Sequence, residues 1–274
     1  MAMNSKHRPT WQLPPGVSRG TWDYVSTPSI AMEYDTFHGD HPLMRLDQQW
    51  IAKRLERMPE LVGQKRVLMD LGCGTGRALL PWNDRGWRTI GIDLSMDMLQ
   101  QAKVKCTGNA LRPGFVHANL AQLDCMTESV ADAAICLYSS IGMIRGSQHR
   151  LAMMDSVRRT LKKAGVFFVH VHNRGSWLRD PNGLQTTIRS YVQSWRDAES
   201  EFGDRIYAYR GLPSMFLHIF SRSELKQALK RAGFSIESIY VLNRTSSGPL
   251  RHAWWLPHLR AGGFMATAIN PIQT

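Results

Sequence analysis

The feature that most constrains the fold is an apolar run that ends in an acid and is followed by three alternating glycines. The run is residues 67–70, and the glycines are Gly72, Gly74 and Gly76. This pattern predicts a buried strand, a tight turn and a helix, because glycine accepts positive φ and lets a ligand approach the main chain. We expect the free N–H groups of the helix's first turn to face that ligand.

A second apolar run, residues 89–93, ends in Asp93 and predicts the next strand. An acid at this place suits the hydroxyls of an adenosine ribose. The spacing G-x-G-x-G lacks the third glycine of the dinucleotide pattern G-x-G-x-x-G. Asp70 would also repel a pyrophosphate and attract an ammonium group. Both features disfavour a nicotinamide-dependent oxidoreductase.

Residues 70–76 read DLGCGTG and residues 91–99 read GIDLSMDML. Both segments resemble motifs of the class I S-adenosylmethionine-dependent methyltransferases, and the resemblance spans roughly residues 64–172 and 216–269. It implies an α/β fold: a Rossmann-like, doubly wound, seven-stranded and mostly parallel sheet with helices on both faces. It also implies a lid insertion after strand 5 and S-adenosyl-L-methionine as the cofactor.

The same resemblance implies a set of residues at the cofactor. Asp70 would lie near the methionine amino group, and Asp93 would hold the ribose. Leu94 and Leu120 would enclose the adenine, and Tyr34, in a short helix before the core, would close over the cofactor. The full set is Tyr34, Asp70, Gly72, Gly74, Gly76, Asp93, Leu94, Asn119, Leu120 and Leu137.

The sequence indicates a general base less directly than it indicates the cofactor residues. Some members of the resembled family use no base and rely on the proximity of the two reactants. Three residues are candidates: His172 at the end of the fifth predicted strand, Tyr138 after the fourth, and His218 beyond the insertion. His170 lies two positions before His172, on the same face of the strand. We interpret His170 as a core histidine whose hydrogen bonds are satisfied.

The order of predicted elements divides the chain into an N-terminal part and a core. Residues 1–62 are predicted to be an N-terminal arm with covering helices, of which residues 1–28 are extended and partly disordered. Residues 63–274 are predicted to be the methyltransferase core. A substrate-lid insertion is expected at about residues 174–217, where the sequence is polar, rich in aromatic residues and without a clean period.

Composition limits the partners and the compartment. The formal net charge is +12, but the basic residues are spread over predicted helices, which favours solvated faces over a nucleic-acid patch. The four cysteines show neither metal-ligand nor disulfide spacing. No apolar run approaches the length of a membrane span, and the N-terminus lacks a signal-peptide core. We therefore expect a cytoplasmic protein with no membrane span; its oligomeric state stays open.

No metal site is predicted. His38, Asp40 and His41 crowd one loop, which Pro42 ends, but no partner cluster elsewhere in the sequence completes a ligand set. A surface loop is the favoured interpretation.

Four functions remain to be compared. The favoured one is methyl transfer to an oxygen or nitrogen of a small-molecule acceptor. The alternative is a tRNA methyltransferase, because residues 218–225 faintly resemble a segment of the wobble-uridine tRNA methyltransferases and the basic charge fits. A non-catalytic, cofactor-binding member and a nicotinamide enzyme are the other two.

Overall fold

A seven-stranded sheet forms the centre of the protein in the computed structural model, which describes residues 8–39, 41–59, 64–107 and 112–272. Its strand order is β3-β2-β1-β4-β5-β9-β8. The first five strands are parallel, and β9 runs antiparallel to both β5 and β8. The predicted fold class is confirmed. The strands are β1 Val67–Leu71, β2 Arg88–Asp93, β3 Gly114–His117, β4 Ala131–Cys136, β5 Leu161–His172, β8 Ser235–Val241 and β9 Gly263–Ile269, with a separate hairpin of β6 Asp204–Tyr209 and β7 Leu212–His218.

Helices cover the sheet and build the N-terminal part of the chain. Side chains cap the N-termini of two of them: Ser95 accepts a hydrogen bond from the Met98 N–H, and Ser221 and Glu224 form a capping box. The helices are α1 Arg19–Val25, α2 Pro28–His38, α3 Pro42–Leu55, α4 Leu80–Asp84, α5 Met96–Lys105, α6 Ser147–Thr160, α7 Gly183–Arg196, α8 Arg222–Arg231 and α9 Pro257–Arg260.

The core lies on both faces of the central strands. Every residue of β4 is buried, as expected for a parallel strand covered on two sides. One face packs under α6 and α8, through residues such as Val157 and Leu225, and the other under α3 and α4, through Ile51 and Trp82. Burial of each such aliphatic side chain contributes about 1.5–3 kcal/mol. The carboxyl edge of the sheet is thereby held in a rigid frame.

The helix after the glycines begins later than predicted. Gly76 is followed by turns, and α4 starts only at Leu80. Pro81 lies in the first turn of α4, where its missing N–H costs nothing. The prediction that N–H groups of this helix face a ligand is therefore wrong, because the helix is short and begins beyond the turn.

The structure contains a helix in two segments for which the sequence did not predict one, the N-terminal arm and the insertion. Ser18 accepts a hydrogen bond from the Thr21 N–H and starts α1, in the part predicted to be extended. In the insertion, α7 runs for 14 residues, so the prediction that this segment has no clean period is wrong. Its apolar residues do recur at helical spacing, but they face solvent. The predicted surface loop is wrong for His38, which is buried at the end of α2, and His41 caps α3; Asp40 lies outside the described residues.

Helix α1 packs against β7 through a glycine. A Cβ atom on Gly20 would lie 1.6 Å from the carbonyl oxygen of Ser214, so only glycine allows this approach. We expect Gly20→Ala to lower the free energy of unfolding by about 1–3 kcal/mol, measured by urea denaturation. Gly114→Ala is the matched control, because a Cβ there would make only ordinary contacts, at 3.8 Å. Equal stability of the two variants would contradict the packing.

Candidate active site

A cavity of about 290 Å³ opens at the carboxyl ends of β1, β2 and β4. In parallel α/β sheets this edge is where ligands bind. Its roof comes from α1, α2 and the β6–β7 hairpin. The core side contributes Gly72, Gly74, Asp93, Leu94, Asn119, Leu120, Tyr138 and His172, and the roof contributes Tyr24, Tyr34, His38, Tyr207 and Tyr209.

The glycine turn forms one wall of the cavity. Gly72, Gly74 and Gly76 have φ of 78°, 53° and 78°, in the region that glycine alone adopts without strain. A Cβ on Gly72 would lie 2.8 Å from the Cβ of Ser140. The Gly72 N–H donates to the carbonyl oxygen of Ile92 at 2.8 Å. The turn is thus fastened to β2, and its main chain faces the cavity without side chains.

Asp93 closes the end of β2 and lines the same wall. Its Oδ2 accepts from the Gly74 N–H and its Oδ1 from the Ser95 N–H, both at 2.8 Å. Burial raises the pKa of Asp93, although these two N–H groups act to lower it. Each carboxylate oxygen has two acceptor positions, so the group can accept further hydrogen bonds from a ligand.

Asp70, Gly76 and Leu137 are not among the lining residues. Asp70 is buried at the end of β1, and burial raises its pKa to about 7; the Arg77 guanidinium opposes the shift and Asp93 adds to it. Arg77 itself pairs with Asp47 at 2.9 Å. The other predicted cofactor residues all line the cavity.

Helix α2 is held over the cavity by Asp35. The Asp35 carboxylate accepts from the Thr75 hydroxyl at 2.7 Å and pairs with Lys105 of α5. Tyr34 and His38 lie four residues apart, on one face of α2, and both line the cavity. Their ring centroids are 4.8 Å apart.

His38 links two tyrosines from distant parts of the chain. Its Nε2 lies 2.8 Å from the Tyr209 hydroxyl, and its Nδ1 lies 3.3 Å from the Tyr138 hydroxyl. Burial, with the nearby Arg210 charge, lowers the pKa of His38, which keeps the imidazole neutral at pH 7. Sequence reasoning missed His38 and Tyr209 as site residues. The spacing of Tyr34 and His38 could have indicated the first; no local signal indicated the second.

The backbone after β4 is strained where it meets this wall. Tyr138 and Ser139 have φ of 53° and 63°, and a left-handed conformation in a non-glycine residue costs about 1–3 kcal/mol. The Gly142 N–H donates to the Ser139 carbonyl at 2.8 Å, and the Ser139 hydroxyl lies 3.4 Å from the His172 N–H. These contacts hold the turn that presents Tyr138 to the cavity.

The two histidines of β5 differ in position. His172 lines the cavity; burial, with His41 nearby, lowers its pKa to about 4, so it is neutral at pH 7 and a weak base. His170 is fully buried, and neither of its ring nitrogens has a hydrogen-bond partner among the described residues. The prediction that the hydrogen bonds of His170 are satisfied is therefore wrong; Met265, which lies opposite it on β9, carries no side-chain N–H or O–H.

His218 lies outside the cavity lining, within a buried ion cluster. Its Nδ1 is 2.6 Å from Asp204 Oδ1, and its Nε2 is 2.6 Å from Glu224 Oε1. Arg150 pairs with the third carboxylate, Glu201. Glu201, Asp204 and His218 have the spacing of metal ligands in the described part of the chain, but Arg150 already pairs with Glu201 and a ring nitrogen of His218 already lies at hydrogen-bond distance from Asp204. The cluster joins the hairpin to α6 and α8.

Residues 68–165 match the sequence family described as "Methyltransferase domain". The matched residues, about a third of the chain, form a methyltransferase domain. The match covers β1 to the middle of β5, which includes the glycine turn and Asp93. The hairpin, α7 and the N-terminal helices lie outside it, so the roof of the cavity is not part of the matched region.

Curated relatives align with similar parts of the chain. A malonyl-[acyl-carrier protein] O-methyltransferase of Hamiltonella defensa is 24% identical over 53% of this chain and 49% of its own length. A carboxy-S-adenosyl-L-methionine synthase of Campylobacter jejuni is 24% identical over 67% of this chain and 75% of its own length. This chain spans only about half the length of each of three of these relatives.

Solved structures share the fold over more of the chain. The CcbJ methyltransferase of Streptomyces caelestis has a TM-score of 0.61 at 18% identity, covering 89% of this chain and 96% of its own. The 1,6-didemethyltoxoflavin-N1-methyltransferase of Burkholderia thailandensis has a TM-score of 0.56 at 17% identity, covering 89% and 85%. Within the described residues, no helix is long and apolar enough to cross a membrane.

Proposed function

We propose that this methyltransferase transfers a methyl group from S-adenosyl-L-methionine to an oxygen or nitrogen of a small-molecule acceptor. One observation carries the proposal: a single roofed cavity joins the glycine turn and Asp93 to a wall of tyrosines and histidines. When bound, the cofactor supplies an electrophilic methyl group on a sulfonium. The protein must then align the acceptor, exclude water and take up a proton.

The cofactor wall fits an adenosine and an amino acid. Asp93 would accept from the ribose hydroxyls with its remaining acceptor positions, and Leu94 and Leu120 would lie against the adenine. Gly72 and Gly74 would let the methionine part approach the main chain. Asp70 would act through its charge from behind the turn, on the ammonium group.

The opposite wall favours an uncharged acceptor with an aromatic ring. Among the described residues that line the cavity, Asp93 is the only charged one, and Tyr24, Tyr34, Tyr138, Tyr207 and Tyr209 contribute their rings. A phosphate or carboxylate on the acceptor would find no cation in this lining. The volume lies near the lower limit for ligand sites, about 300 Å³, and the roof covers it. Both features favour a small molecule over a tRNA.

His38 is the best-placed group to take the acceptor's proton. An acceptor hydroxyl or amine that donates to the Tyr138 oxygen can pass its proton through that hydroxyl to the His38 Nδ1. The Nε2 side is then stabilised by the Tyr209 hydroxyl, 2.8 Å away. As the methyl–acceptor bond forms and the methyl–sulfur bond breaks, the proton ends on His38 and leaves to solvent.

All four cysteines, Cys73, Cys106, Cys125 and Cys136, are free. This supports a reducing compartment, so we propose a cytoplasmic location.

Two measurements test the function. S-adenosylhomocysteine should raise the melting temperature, because a ligand that binds only the native state stabilises it. A screen of phenols, catechols and heteroaromatic amines with a labelled methyl donor should then identify acceptors. No thermal shift at about millimolar ligand would contradict the cofactor site. Binding without transfer to any acceptor, but transfer to bulk tRNA, would favour the alternative function.

Cofactor binding should release protons near pH 7. Free Asp70 has a pKa raised to about 7, so it is partly protonated there, and a ligand ammonium favours its ionised form. Affinity for S-adenosylhomocysteine should therefore rise as the pH increases through 7. Calorimetry in two buffers of different ionisation enthalpy measures the release, and Asp70→Asn should abolish it. Equal binding enthalpies for the wild type in both buffers would contradict this role.

Replacing His38 should affect transfer and spare cofactor binding. We expect His38→Gln to lower kcat by about 10²–10⁴-fold, the usual contribution of general base catalysis, with unchanged affinity for S-adenosylhomocysteine. His252→Gln is the control, since His252 is exposed and outside the cavity. The loss should shrink as the pH rises and the acceptor ionises without help. A His38→Gln enzyme with normal kcat would exclude the relay.

A further inference from the structure

Helix α7 carries an apolar stripe that faces solvent. Leu184, Ile188, Tyr191 and Trp195 recur every three or four residues, which places them on one face. They are 63%, 54%, 49% and 77% exposed. In this helix, which the structure describes throughout, Gly183 alone is buried. An amphipathic helix normally turns such a stripe to the core, so this one is oriented the opposite way.

The opposite face of α7 fixes this orientation. Gln185, Arg189 and Gln193 line a polar cleft that the helix shares with the hairpin and α1. The Ser190 hydroxyl lies 3.4 Å from the Asp204 carbonyl oxygen of β6. The Ser190 side of α7 therefore meets the protein, and the apolar stripe stays exposed, with only the Tyr191 ring near another ring of the chain outside α7, that of Phe202 at 5.4 Å, among the described contacts.

A second apolar segment adjoins the stripe. Trp254, Trp255 and Leu256 are 81%, 54% and 51% exposed, so they do not pack on the sheet. Residues 174–179 form a 3-10 turn that both segments contact closely. A Cβ on Gly183 would lie 1.7 Å from the Trp177 carbonyl, and one on Gly175 would lie 1.7 Å from the His258 carbonyl. Residues 178–195 and 254–259 thus form one exposed region, called here the tryptophan surface.

The charge around the tryptophan surface is positive. Residues 178–197 and 244–260 contain six arginines and two aspartates; even without Arg189, which lines the polar cleft, the arginines outnumber the acids. One of the acids, Asp180, is already paired with Arg205 at 3.3 Å. A second copy of this chain would bring the same positive charge to the contact. An occupant with an apolar interior and a negative surface fits both properties.

We propose that the tryptophan surface docks this protein on a membrane that contains anionic lipid. Tryptophan and tyrosine are favoured at the boundary between head groups and acyl chains, because their rings are apolar and carry one polar group. Arginine stems add apolar contact while their guanidinium groups reach phosphates. An amphipathic helix of this kind lies in the plane of the interface and does not span the bilayer. The inference is independent of the methyl transfer proposed above.

Vesicle sedimentation tests the proposal. The full chain is mixed with phosphatidylcholine vesicles that either contain or lack phosphatidylglycerol. We expect binding to the anionic vesicles at low salt, weaker binding at high salt, and little binding to pure phosphatidylcholine. The double variant Trp195→Ser/Trp254→Ser should bind at least about tenfold more weakly, since two large apolar side chains leave the interface.

Trp11→Ser is the matched control, because Trp11 is 79% exposed and lies outside both segments. It should bind as the wild type does, and all variants should keep the wild-type melting temperature and affinity for S-adenosylhomocysteine. Three results would overturn the proposal. They are no binding to anionic vesicles at low salt, equal binding by the double variant, and a wild-type dimer in light scattering that the double variant converts to a monomer. The last would show that a second copy covers the surface.

Discussion

Asp93→Ala should bind S-adenosylhomocysteine roughly 10- to 150-fold more weakly than the wild type. A charge-assisted hydrogen bond to a ribose contributes about 1.5–3 kcal/mol, and this range converts to that loss of affinity. From the sequence alone, Asp93 would be expected to contribute little to folding. The structure changes that expectation. The carboxylate also accepts from the N–H groups of Gly74 and Ser95, so alanine should cost about 1–3 kcal/mol of stability as well.

A matched pair of variants separates the two effects. Asp93→Asn keeps the volume and one carbonyl acceptor, so it should retain more stability than alanine and still lose affinity. Asp84→Ala is the surface control, because Asp84 is exposed at the far end of α4. Calorimetric titration and urea denaturation give both quantities. Wild-type affinity in a folded Asp93→Ala protein would show that the ribose binds elsewhere.

His218→Ala should lower the free energy of unfolding by about 3 kcal/mol, the lower end of the range for removing one partner of a buried ion pair. The lower end applies because the side chains of Glu201 and Glu224 are 27% and 29% exposed, and water will partly screen them. Asp204 and Glu224 would lose the imidazole that lies 2.6 Å from each. Urea denaturation at neutral pH measures the loss.

A double-mutant cycle identifies the cause. Glu224→Gln should lower stability less in the His218→Ala background than in the wild type, because its contact with His218 is already lost there while its contact with Arg174 is present in both. His252→Ala, at an exposed histidine, should change stability little. Additive losses in the cycle would contradict a direct interaction between His218 and Glu224.

The same cluster should make the wild type sensitive to acid. Burial acts to raise the pKa of Glu224, but the hydrogen bond and charge of His218, with Arg174, lower it overall. Arg150 and the Ser147 N–H likewise lower the pKa of Glu201 against the effect of burial. A carboxyl with a lowered pKa stabilises the fold above its unfolded pKa, about 4.3. That contribution is lost as the pH falls through the folded value.

Local patterns predicted the core and the cofactor wall. The glycine turn, the acid at the end of β2 and the capping residues of α5 and α8 act over a few positions, so the sequence alone specifies them. The tyrosine–histidine wall could not be predicted in this way. Tyr209 meets His38 only because a hairpin some 170 residues later folds over α2. His218 resembled a candidate base by its position, but which acids surround it depends on how β7 packs on α8.

The prediction that the insertion has no regular period failed for a different reason. A period search assumes that apolar residues mark the side facing the core, and α7 turns its polar side to the protein. Its stripe is regular in sequence, at Leu184, Ile188, Tyr191 and Trp195, but it could not be assigned to a core that lies on the other side.

The close contact between Gly20 of α1 and Ser214 of β7 has a kinetic consequence. Because the two backbones touch, the arm and the hairpin cannot separate from each other without losing that contact, and they cover the cavity together. We therefore expect the arm and the hairpin to move together when ligands enter or leave the cavity. We expect the last product to leave no faster than this movement, and the turnover number of the enzyme to reflect the opening of its roof more than the displacement at sulfur.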